Sequence, residues 1–384
     1  MILKKDFVMM FSMTLVLSCV GNVFSQEMSQ DHKWCTGQDG ASADQRIEGC
    51  TALIQSGHET RNNLVTAFTN RGNAYYAKGD NDRAIQDYDQ AIRLNPQEAS
   101  AFYNRGTAYS DKGDKDRAIQ DFDQAIRLNP QHANAFYNRG LAYARKGDND
   151  RALQDFDQAI RLNPQDASAF YNRGNAYSAK GDKDRALQDF DRAIQLNPQH
   201  ANAFYNRGRA HSMKGNYDRA ILDYDQAILL NPHDSWYWNN RCWARAIVGE
   251  LGSALADCNE SLRLRPDWAS AFRGRALVHL KSGRLDSAIA DYDEALRLQV
   301  NSAHSLYGRG LAKQKKGDAA DGSADMAAAK AIQADIAEEF RGFRVPVPAA
   351  RPPESVPDEP RIKAKEACPS GQYWNSTRGL CQPI

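Results

Sequence analysis

Residues 101–130 read AFYNRGTAYSDKGDKDRAIQDFDQAIRLNP, and this stretch decides the fold. Phe102, Gly106 and Tyr109 recur at helical spacing, which places them on one face of a first helix. Gly113 follows that helix where a left-handed cap residue is expected. The first half of the stretch therefore predicts one amphipathic helix with a defined end.

The second half of the same stretch predicts a second helix. Asp114 or Asp116 can serve as its N-cap. Apolar residues recur at helical spacing through 118–128, and Asn129 with Pro130 stops the helix. The unit is a helical hairpin that cannot bury both of its faces alone, so neighbouring units must stack on it.

The hairpin is repeated along most of the chain with a period of 34 residues. Asn-Pro recurs with that spacing, and Arg-Pro takes its place once; the prolines are Pro96, Pro130, Pro164, Pro198, Pro232 and Pro266. Extending the register gives eight copies over residues 65–336. They begin at Val65, Ala99, Ala133, Ala167, Ala201, Ser235, Ala269 and Ala303.

These copies resemble the tetratricopeptide repeat (TPR) family. Its pattern W-x2-L-G-x2-Y…A-x3-F…P is matched here by Phe102-x2-Arg105-Gly106-x2-Tyr109…Ala118-x3-Phe122…Pro130. The resemblance implies an all-α, right-handed superhelical solenoid of about eight helix-turn-helix repeats. It also implies a concave groove that binds a protein or peptide. Together with the N-terminal segment described below, it indicates a TPR protein of the exported bacterial type.

The departure from the family pattern is an Arg where Leu is usual. It occurs in all eight copies, as Arg71, Arg105, Arg139, Arg173, Arg207, Arg241, Arg275 and Arg309. An Asp recurs equally, as Asp87, Asp121, Asp155, Asp189, Asp223, Asp257, Asp291 and Asp325. A repeated Arg on a packing face requires a carboxylate, so we expect an Arg–Asp ladder within or between repeats. The alternative is an Arg that reaches out to solvent.

Composition narrows the function classes. The 384 residues contain 49 Lys+Arg and 48 Asp+Glu, a net charge of +1. This balance argues against a nucleic-acid binder, which normally shows a clustered basic excess. The slightly polar composition suits a solenoid, which has much surface for its core.

The N-terminus predicts export. Residues 1–25 combine basic Lys4 and Lys5, an apolar stretch over 7–20 and a small-residue cleavage site, which indicates a signal peptide. An uncleaved signal anchor is one alternative, although the apolar stretch is short for a membrane span. Lipidation at Cys19 is another. We expect a periplasmic or secreted protein with no membrane span after cleavage.

The remaining six cysteines form three close sequential pairs, which suggests disulfides in an exported chain. The predicted pairs are Cys35–Cys50, Cys242–Cys258 and Cys368–Cys381, separated by 15, 16 and 13 residues. In the other repeats, a Gly or Ala on the first helix lies level with a large residue on the second helix. Cys242 stands at the first of these positions and Cys258 at the second, so contact between them is expected. Two small buried thiols are the alternative for that pair. Metal-ligand spacing is absent from the sequence, and we expect no metal.

The groove positions carry recurring Asn and aromatic residues. Asn amides both donate and accept, so a row of them suits an extended polypeptide, and the resemblance implies that use. The predicted contacts are Asn70, Asn104, Asn138, Asn172, Asn206, Asn240, Tyr103, Tyr137, Tyr171 and Tyr205, with Trp236, Tyr237 and Trp243 of the sixth repeat. Alternatively, the Asn side chains bond the neighbouring repeat's backbone, and the tryptophans add core packing. Trp238 is expected to replace a core Phe.

The ends lie outside the repeats. Residues 26–64 are expected to form an N-terminal cap with one helix, over Gln45–Ile54. Residues 342–367 are rich in proline and predict a disordered linker. Residues 368–384 form a cysteine-bracketed tail, expected to be a small disulfide loop.

No catalytic motif is recognisable in the sequence. We therefore expect a non-catalytic protein-interaction scaffold without a cofactor, which binds a protein or peptide partner and no nucleic acid. One alternative is a cell-envelope structural or assembly factor anchored by its tail. Another is an accessory subunit of an envelope enzyme.

Overall fold

The structure, a computed structural model, describes residues 29–345 and the backbone of residues 372–375 and 380–383. The predicted signal peptide, the linker beyond Val345 and Cys368 lie outside the described residues. The chain divides into two compact units, which are described separately. The N-terminal unit comprises Met1–Val248 with Arg263–Arg265, and the C-terminal unit comprises Gly249–Leu262 with Pro266–Ile384.

Helices follow one another in pairs along both units. In the N-terminal unit they are α1 (Gln30–Thr36), α2 (Ala43–Ser56), α3 (Arg61–Ala77), α4 (Asn81–Leu94), α5 (Ala99–Asp111), α6 (Lys115–Leu128), α7 (Ala133–Arg145), α8 (Asn149–Leu162), α9 (Ala167–Ala179), α10 (Lys183–Leu196), α11 (Ala201–Met213), α12 (Tyr217–Leu230) and α13 (Ser235–Val248). Then come α14 (Leu251–Leu264), α15 (Ala269–Lys281), α16 (Leu285–Leu298), α17 (Ala303–Lys316), α18 (Ala319–Ile332) and α19 (Ile336–Gly342).

The predicted helix ends are confirmed in the copy that defines the repeat. Gly113 adopts φ +83°, a left-handed conformation that ends α5 at little steric cost. Asp114, not Asp116, caps α6: its Oδ1 accepts from the backbone N–H of Arg117 at 3.0 Å. After α6, the Asn129 side chain accepts from the backbone N–H of Gln131 at 3.1 Å, which closes the turn across the proline.

A small residue opposite a large one lets the two helices of a pair approach closely. A Cβ atom built on Gly106 of α5 would lie 2.9 Å from Cε1 of Phe122 on α6, closer than real contacts allow. Phe122 is fully buried. The predicted pairing of a glycine with an aromatic ring across the hairpin is therefore confirmed.

Stacking of successive pairs forms a solenoid within each unit. In the N-terminal unit, each second helix contacts the first helix of the next pair, as α6 contacts α7 and α8 contacts α9. First helices also contact first helices, as α5 contacts α7, whereas no two second helices in the described part of this unit touch. The row of first helices is therefore the shorter side, and this unit curves toward it. We call the surface of α3, α5, α7, α9, α11 and α13 the inner face.

The N-terminal cap contains more structure than the sequence predicts. Instead of one helix, α1 and α2 form a short hairpin, and α2 packs on α3. Cys35 and Cys50 join them through a disulfide and are both buried. Gly49 makes the close approach possible, because a Cβ there would lie 2.6 Å from the carbonyl oxygen of Asp31.

The C-terminal unit repeats the same pairing and ends differently. Helix α15 packs on α16 and α17 on α18, and α19 then packs on α17 and α18. Further along, β1 (Gln372–Asn375) and β2 (Leu380–Pro383) form an antiparallel hairpin in which Trp374 pairs with Cys381. The described chain is thus all-α apart from this hairpin, where a small loop was expected.

Candidate ligand-binding surface

The Arg–Asp ladder predicted from the sequence is present in both units. Arg139 donates from Nε to Oδ2 of Asp155 at 2.8 Å and from Nη2 to Oδ1 at 2.6 Å. Asp155 is 4% exposed, so this bidentate pair lies inside the hairpin. We call the pair the Arg–Asp clamp. Clamps join Arg71–Asp87, Arg105–Asp121, Arg139–Asp155, Arg173–Asp189, Arg207–Asp223, Arg275–Asp291 and Arg309–Asp325.

A second carboxylate ties most of the clamps to the preceding repeat. Nη1 of Arg139 donates to Oδ1 of Asp123 on α6 at 2.5 Å. Asp89, Asp157, Asp191, Asp225 and Asp293 do the same for their neighbours. Sequence reasoning missed this set, although its members recur with the repeat period, two residues after the clamp Asp.

Hairpins that lack this second carboxylate use a neutral oxygen instead. Arg71, which follows the cap, donates from Nη1 to Oγ1 of Thr51 at 3.0 Å. In the C-terminal unit, Arg275 donates to Oδ1 of Asn259 at 3.0 Å. Each of these Arg side chains therefore bridges two successive hairpins of the solenoid, and the ladder runs both within and between repeats.

Burial and charge act in opposite directions on the clamp. Burial lowers the pKa of Arg139, but its hydrogen bonds to Asp155 and Asp123 outweigh that effect and raise the pKa above its usual value. Burial raises the pKa of Asp155, and Arg139 only partly offsets the rise. Breaking a buried pair from one side leaves an uncompensated charge, so the clamp holds the two helices of each hairpin together.

The predicted Tyr and Asn residues of the inner face bond to each other across repeat boundaries. The Nδ2 group of Asn172 on α9 donates to the hydroxyl of Tyr137 on α7 at 2.9 Å. The same bond joins Asn138–Tyr103 at 3.1 Å, Asn206–Tyr171 at 3.0 Å and Asn240–Tyr205 at 3.2 Å. We call these four pairs the Tyr–Asn row. The asparagines therefore bond a neighbouring side chain, rather than the neighbouring backbone that the alternative interpretation invoked.

The hydrogen bonds of the row do not use the amide oxygen of each Asn or the hydroxyl hydrogen of each Tyr. The second Nδ2 hydrogen of Asn172 goes to the carbonyl of Ser168 at 2.9 Å, and that of Asn206 goes to Oδ1 of Asn175 at 2.9 Å. Among the described residues, the amide oxygens of the row accept no hydrogen bond. Each Tyr hydroxyl accepts from its Asn and keeps its own hydrogen as a donor. Every junction thus presents one acceptor and one donor.

The tyrosine rings of the row pack against other aromatic side chains of the fold. Tyr103 packs at 6.0 Å between ring centroids from Phe122 and at 4.6 Å from His132. Tyr171 meets His200 in the same way, at 4.6 Å. Burial raises the pKa of the Tyr205 hydroxyl to about 12, so the hydroxyl stays protonated at neutral pH and can donate a hydrogen bond.

The first two asparagines of the predicted set lie on the same face in different surroundings. Asn70 is half-buried on α3. Asn104 on α5 donates from Nδ2 to Oδ1 of Asn73 at 3.0 Å, and Asn73 also accepts from the hydroxyl of Tyr88 at 2.8 Å. The asparagines with tyrosine partners therefore begin at Asn138, two repeats later than the first asparagine of the set.

The sixth repeat ends the inner face of the N-terminal unit with aromatic side chains. Trp236 is 47% exposed, and Trp243 is half-buried. Trp238 takes the place of the Phe of other repeats: Arg241 lies over its ring at 4.8 Å, as Arg207 lies over Phe204 at 5.5 Å. The exposed part of Trp236 is the largest apolar surface among the predicted contacts.

The prediction that Tyr237 faces the groove is wrong. Tyr237 stands at the register position of the buried Ala203 and is only 2% exposed. Its ring packs on Tyr205 at 4.9 Å, and its hydroxyl donates to Oδ1 of Asn202 at 2.6 Å. It therefore supports the Tyr–Asn row from inside the fold.

Two further cysteines are in disulfides. Cys242 and Cys258 are both buried and disulfide-bonded. Within the described residues, no cluster of His, Cys, Asp and Glu could hold a metal ion. No described helix has the length and apolar character needed to cross a bilayer.

Comparison with known proteins places the chain in a family. A family model described as tetratricopeptide repeat matches residues 103–167, 243–303 and 273–336, and another of that description matches 167–200 and 201–234. A TPR repeat model matches residues 72–113. The chain belongs to the tetratricopeptide repeat family. Members of this family bind protein or peptide partners and are typically non-catalytic, which supports a protein-interaction scaffold in general.

Two solved structures, given first here, show the same fold. A tetratricopeptide repeat protein from Parabacteroides merdae ATCC 43184 is 22% identical, with TM-score 0.51, over 65% of this chain and 100% of that chain. The APC/C hetero-tetramer Cut9–Hcn1 provides a chain that is 14% identical, with TM-score 0.52, over 83% of this chain and 66% of its own length. YrrB, described as a TPR protein with an unusual peptide-binding site, is 28% identical, with TM-score 0.44, over 50% of this chain and 96% of that chain. No curated protein matches the sequence significantly.

Proposed function

We propose that this protein is a non-catalytic scaffold that holds an extended segment of a partner polypeptide on the inner face of its N-terminal unit. The Tyr–Asn row carries the proposal, because it repeats the same unused donor and acceptor at four successive boundaries. A polypeptide backbone offers the complementary groups along its whole length. Such contacts favour binding of backbone over recognition of one sequence.

Trp236 and Trp243 are proposed as the anchor at one end of this surface. Large aromatic side chains dominate the energy of many protein interfaces. Trp236 combines a 47% exposed ring with a position on α13, directly after the last Tyr–Asn pair. A hydrophobic side chain of the partner would pack there, while the row holds its backbone.

The proposal includes export from the cytoplasm. The buried Cys35–Cys50 disulfide supports it, because structural disulfides persist mainly in oxidising compartments. Cell fractionation of the full chain should find it outside the cytoplasm, with Cys35 and Cys50 unreactive toward a maleimide until a reductant is added. A full-length chain that stays in the cytoplasm with both thiols reactive would contradict export.

Site-specific photocrosslinking tests the binding surface. A photoreactive residue replaces Ser168, which is exposed on α9 one turn before Asn172. The matched control carries it at Gln188, which is equally exposed on α10, a second helix of the same repeat. We expect a defined polypeptide to be captured at Ser168 and not at Gln188 under native expression. Equal capture at both positions, or none at Ser168, would contradict the proposal.

A further inference from the structure

The Tyr–Asn row repeats its unused donors and acceptors at a regular interval, and a ligand must match that interval. Consecutive first helices contact each other in the N-terminal unit, as α7 contacts α9. Packed helices lie about 8–10 Å apart, so the unused donors and acceptors recur about every 8–10 Å along the inner face. The hydrogen bond from Asn172 to Tyr137 fixes both groups at each boundary.

A β-strand does not fit that spacing. Its residues rise about 3.3 Å each and point to alternate sides. Groups on one side therefore recur about every 6.6 Å, and the third residue, about 10 Å along, points away from the protein. A β-strand bound on the inner face would form hydrogen bonds with the Tyr–Asn pair at one repeat boundary. At the next boundary its backbone groups would not be in position to do so.

A polyproline II helix fits the spacing. It has three residues per turn with a rise of about 3.1 Å per residue, so the same side returns about every 9 Å. Its backbone makes no internal hydrogen bonds, so its carbonyls are free for the Tyr hydroxyls. Aromatic-lined grooves are the general surface on which such helices dock.

The charge of the surface does not select the ligand by itself. Three residues before each Tyr of the second to fifth repeats, the exposed side chains are uncharged: Ser100, Asn134, Ser168 and Asn202. The guanidinium of Arg209, however, lies 5.8 Å from the centroid of the Tyr205 ring, so positive charge adjoins the fourth pair. An uncharged peptide therefore tests the backbone contacts of the row without a contribution from Arg209.

We propose that the partner segment is a proline-rich polyproline II helix that places three residues on each repeat. This inference rests on the proposed function and adds the conformation and composition of the ligand. In each turn, one carbonyl accepts from a Tyr hydroxyl, and one N–H donates to an Asn amide oxygen. Proline has no N–H, so every third residue of the segment is not proline.

Three synthetic peptides of equal length test the inference by fluorescence anisotropy on the full chain. Acetylated (Pro-Pro-Ala)4 amide spans four repeats and supplies one N–H per turn. Dodecaproline keeps the conformation and lacks the N–H groups, and (Gly-Gly-Ala)4 keeps the length and is flexible. We expect (Pro-Pro-Ala)4 to bind best and each of the other two to bind about tenfold or more weakly, since a difference of about 1.4 kcal/mol is tenfold.

A variant of the row shows where the peptide binds. Replacing Tyr137 and Tyr171 by Phe removes two hydroxyls and keeps both rings. Binding of (Pro-Pro-Ala)4 should fall about tenfold, whereas a Gln188→Ala control on α10 should bind as the parent does. Circular dichroism of each variant confirms that the helices remain folded.

The outcomes separate this inference from the proposed function. If (Gly-Gly-Ala)4 binds as well as (Pro-Pro-Ala)4 and both depend on the two hydroxyls, the row binds extended chains in general, and the polyproline II inference is overturned. If no peptide binds while crosslinking at Ser168 still captures a polypeptide, the inference is likewise overturned and the proposed function stands. If no peptide binds and crosslinking at Ser168 captures no polypeptide, both the polyproline II inference and the proposed function are overturned.

Discussion

Helices α7 and α8 of the N-terminal unit and helices α17 and α18 of the C-terminal unit hold the same ion pair in different surroundings. Arg139 binds Asp155 through Nη2 and Oδ1 at 2.6 Å, and Arg309 binds Asp325 through the same atoms at 2.7 Å. The surfaces beside these clamps differ. Tyr137 is half-buried and bonded to Asn172, whereas its counterpart Tyr307 is only 1% exposed.

The chain itself covers the counterpart surface in the C-terminal unit. Phe340 of α19 packs on Tyr307 with 4.9 Å between ring centroids and is itself 1% exposed. Gly308 stands where the row has Asn, and a Cβ there would lie 2.2 Å from Cζ of Tyr292. The clamp is therefore a general device of the fold, while the Tyr–Asn row belongs to the repeats whose inner face stays open.

The largest expected effect tests whether the clamp stabilises both units equally. Asp155→Ala and Asp291→Ala each remove the bidentate partner of a half-buried Arg, so each should lower the free energy of unfolding by up to about 3–5 kcal/mol. Asp291→Ala should cost more, because Arg275 then keeps only the neutral Asn259 whereas Arg139 keeps Asp123. Urea denaturation followed by circular dichroism measures this. Asp116→Ala, which removes an exposed pair with Lys146, should cost less than about 1 kcal/mol. Similar losses for the buried and exposed sites would contradict the role given to the clamp.

A smaller effect is expected at the contact between the two helices of a repeat. In Gly140→Ala, the new Cβ would meet Cε1 of Phe156 at 2.9 Å, so overpacking should cost about 1–3 kcal/mol. Combining it with Phe156→Leu should cost less than the sum of the two single changes, because the residues share one contact.

The seventh repeat provides the reverse test of that contact, since Ala276 already occupies the glycine position there and is fully buried. Ala276→Gly should cost about 0.5–1 kcal/mol through helix propensity. A stability gain in Ala276→Gly, or a neutral Gly140→Ala, would show that the fit of the two helices does not depend on this residue. Thermal unfolding of the four variants gives the comparison.

The Tyr–Asn row should matter less for stability than the clamp. Tyr137→Phe removes one hydrogen bond, to Asn172, and should cost about 0.5–1.5 kcal/mol. Tyr307 has no such Asn partner, since the position 35 residues later is Gly342, so Tyr307→Phe should be nearer to neutral. Urea denaturation of both variants checks the difference, and a larger loss for Tyr307→Phe would contradict the division between row and framework.

The smallest expected effect is a dependence of stability on pH. Burial lowers the pKa of His132 and His200 below the ordinary 6.5. The unfolded chain then binds protons more readily, so the stability from these groups is full above pH 6.5 and is lost as the pH falls through 6.5 toward the lowered values. The third repeat carries Asp166 at the position that His132 and His200 occupy in the second and fourth repeats. Replacing both His132 and His200 by Asp should therefore flatten this part of a pH–stability curve. An unchanged slope would contradict it.

Sequence reasoning predicted the features that depend on periodicity. The clamp, the glycine opposite an aromatic ring and the helix ends at Gly113 and Asn129 all recur every 34 residues. Because the same residue types recur at the same positions in successive copies, a contact inferred for one repeat applies to the others. The second carboxylate, Asp123 for Arg139, recurs just as regularly and could have been found in the same way.

The features that the sequence did not predict depend on single breaks in the pattern. Tyr237 was misassigned because an aromatic residue had moved to a buried alanine position within a cluster of tryptophans. The α1 helix was missed because it is short and is held to α2 by Cys35 and Cys50. The hydroxyl partners of the asparagines required the relative position of two repeats, which spacing along one repeat does not give.

The measurement that bears most directly on the binding surface is crosslinking yield from Ser168 in two backgrounds. One is the parent chain, and the other replaces Tyr103, Tyr137, Tyr171 and Tyr205 by Phe. Every clamp remains intact in both, and circular dichroism verifies the fold. If the row binds the partner, capture at Ser168 falls at least about tenfold in the variant. Undiminished capture by a folded variant would show that the partner is held elsewhere.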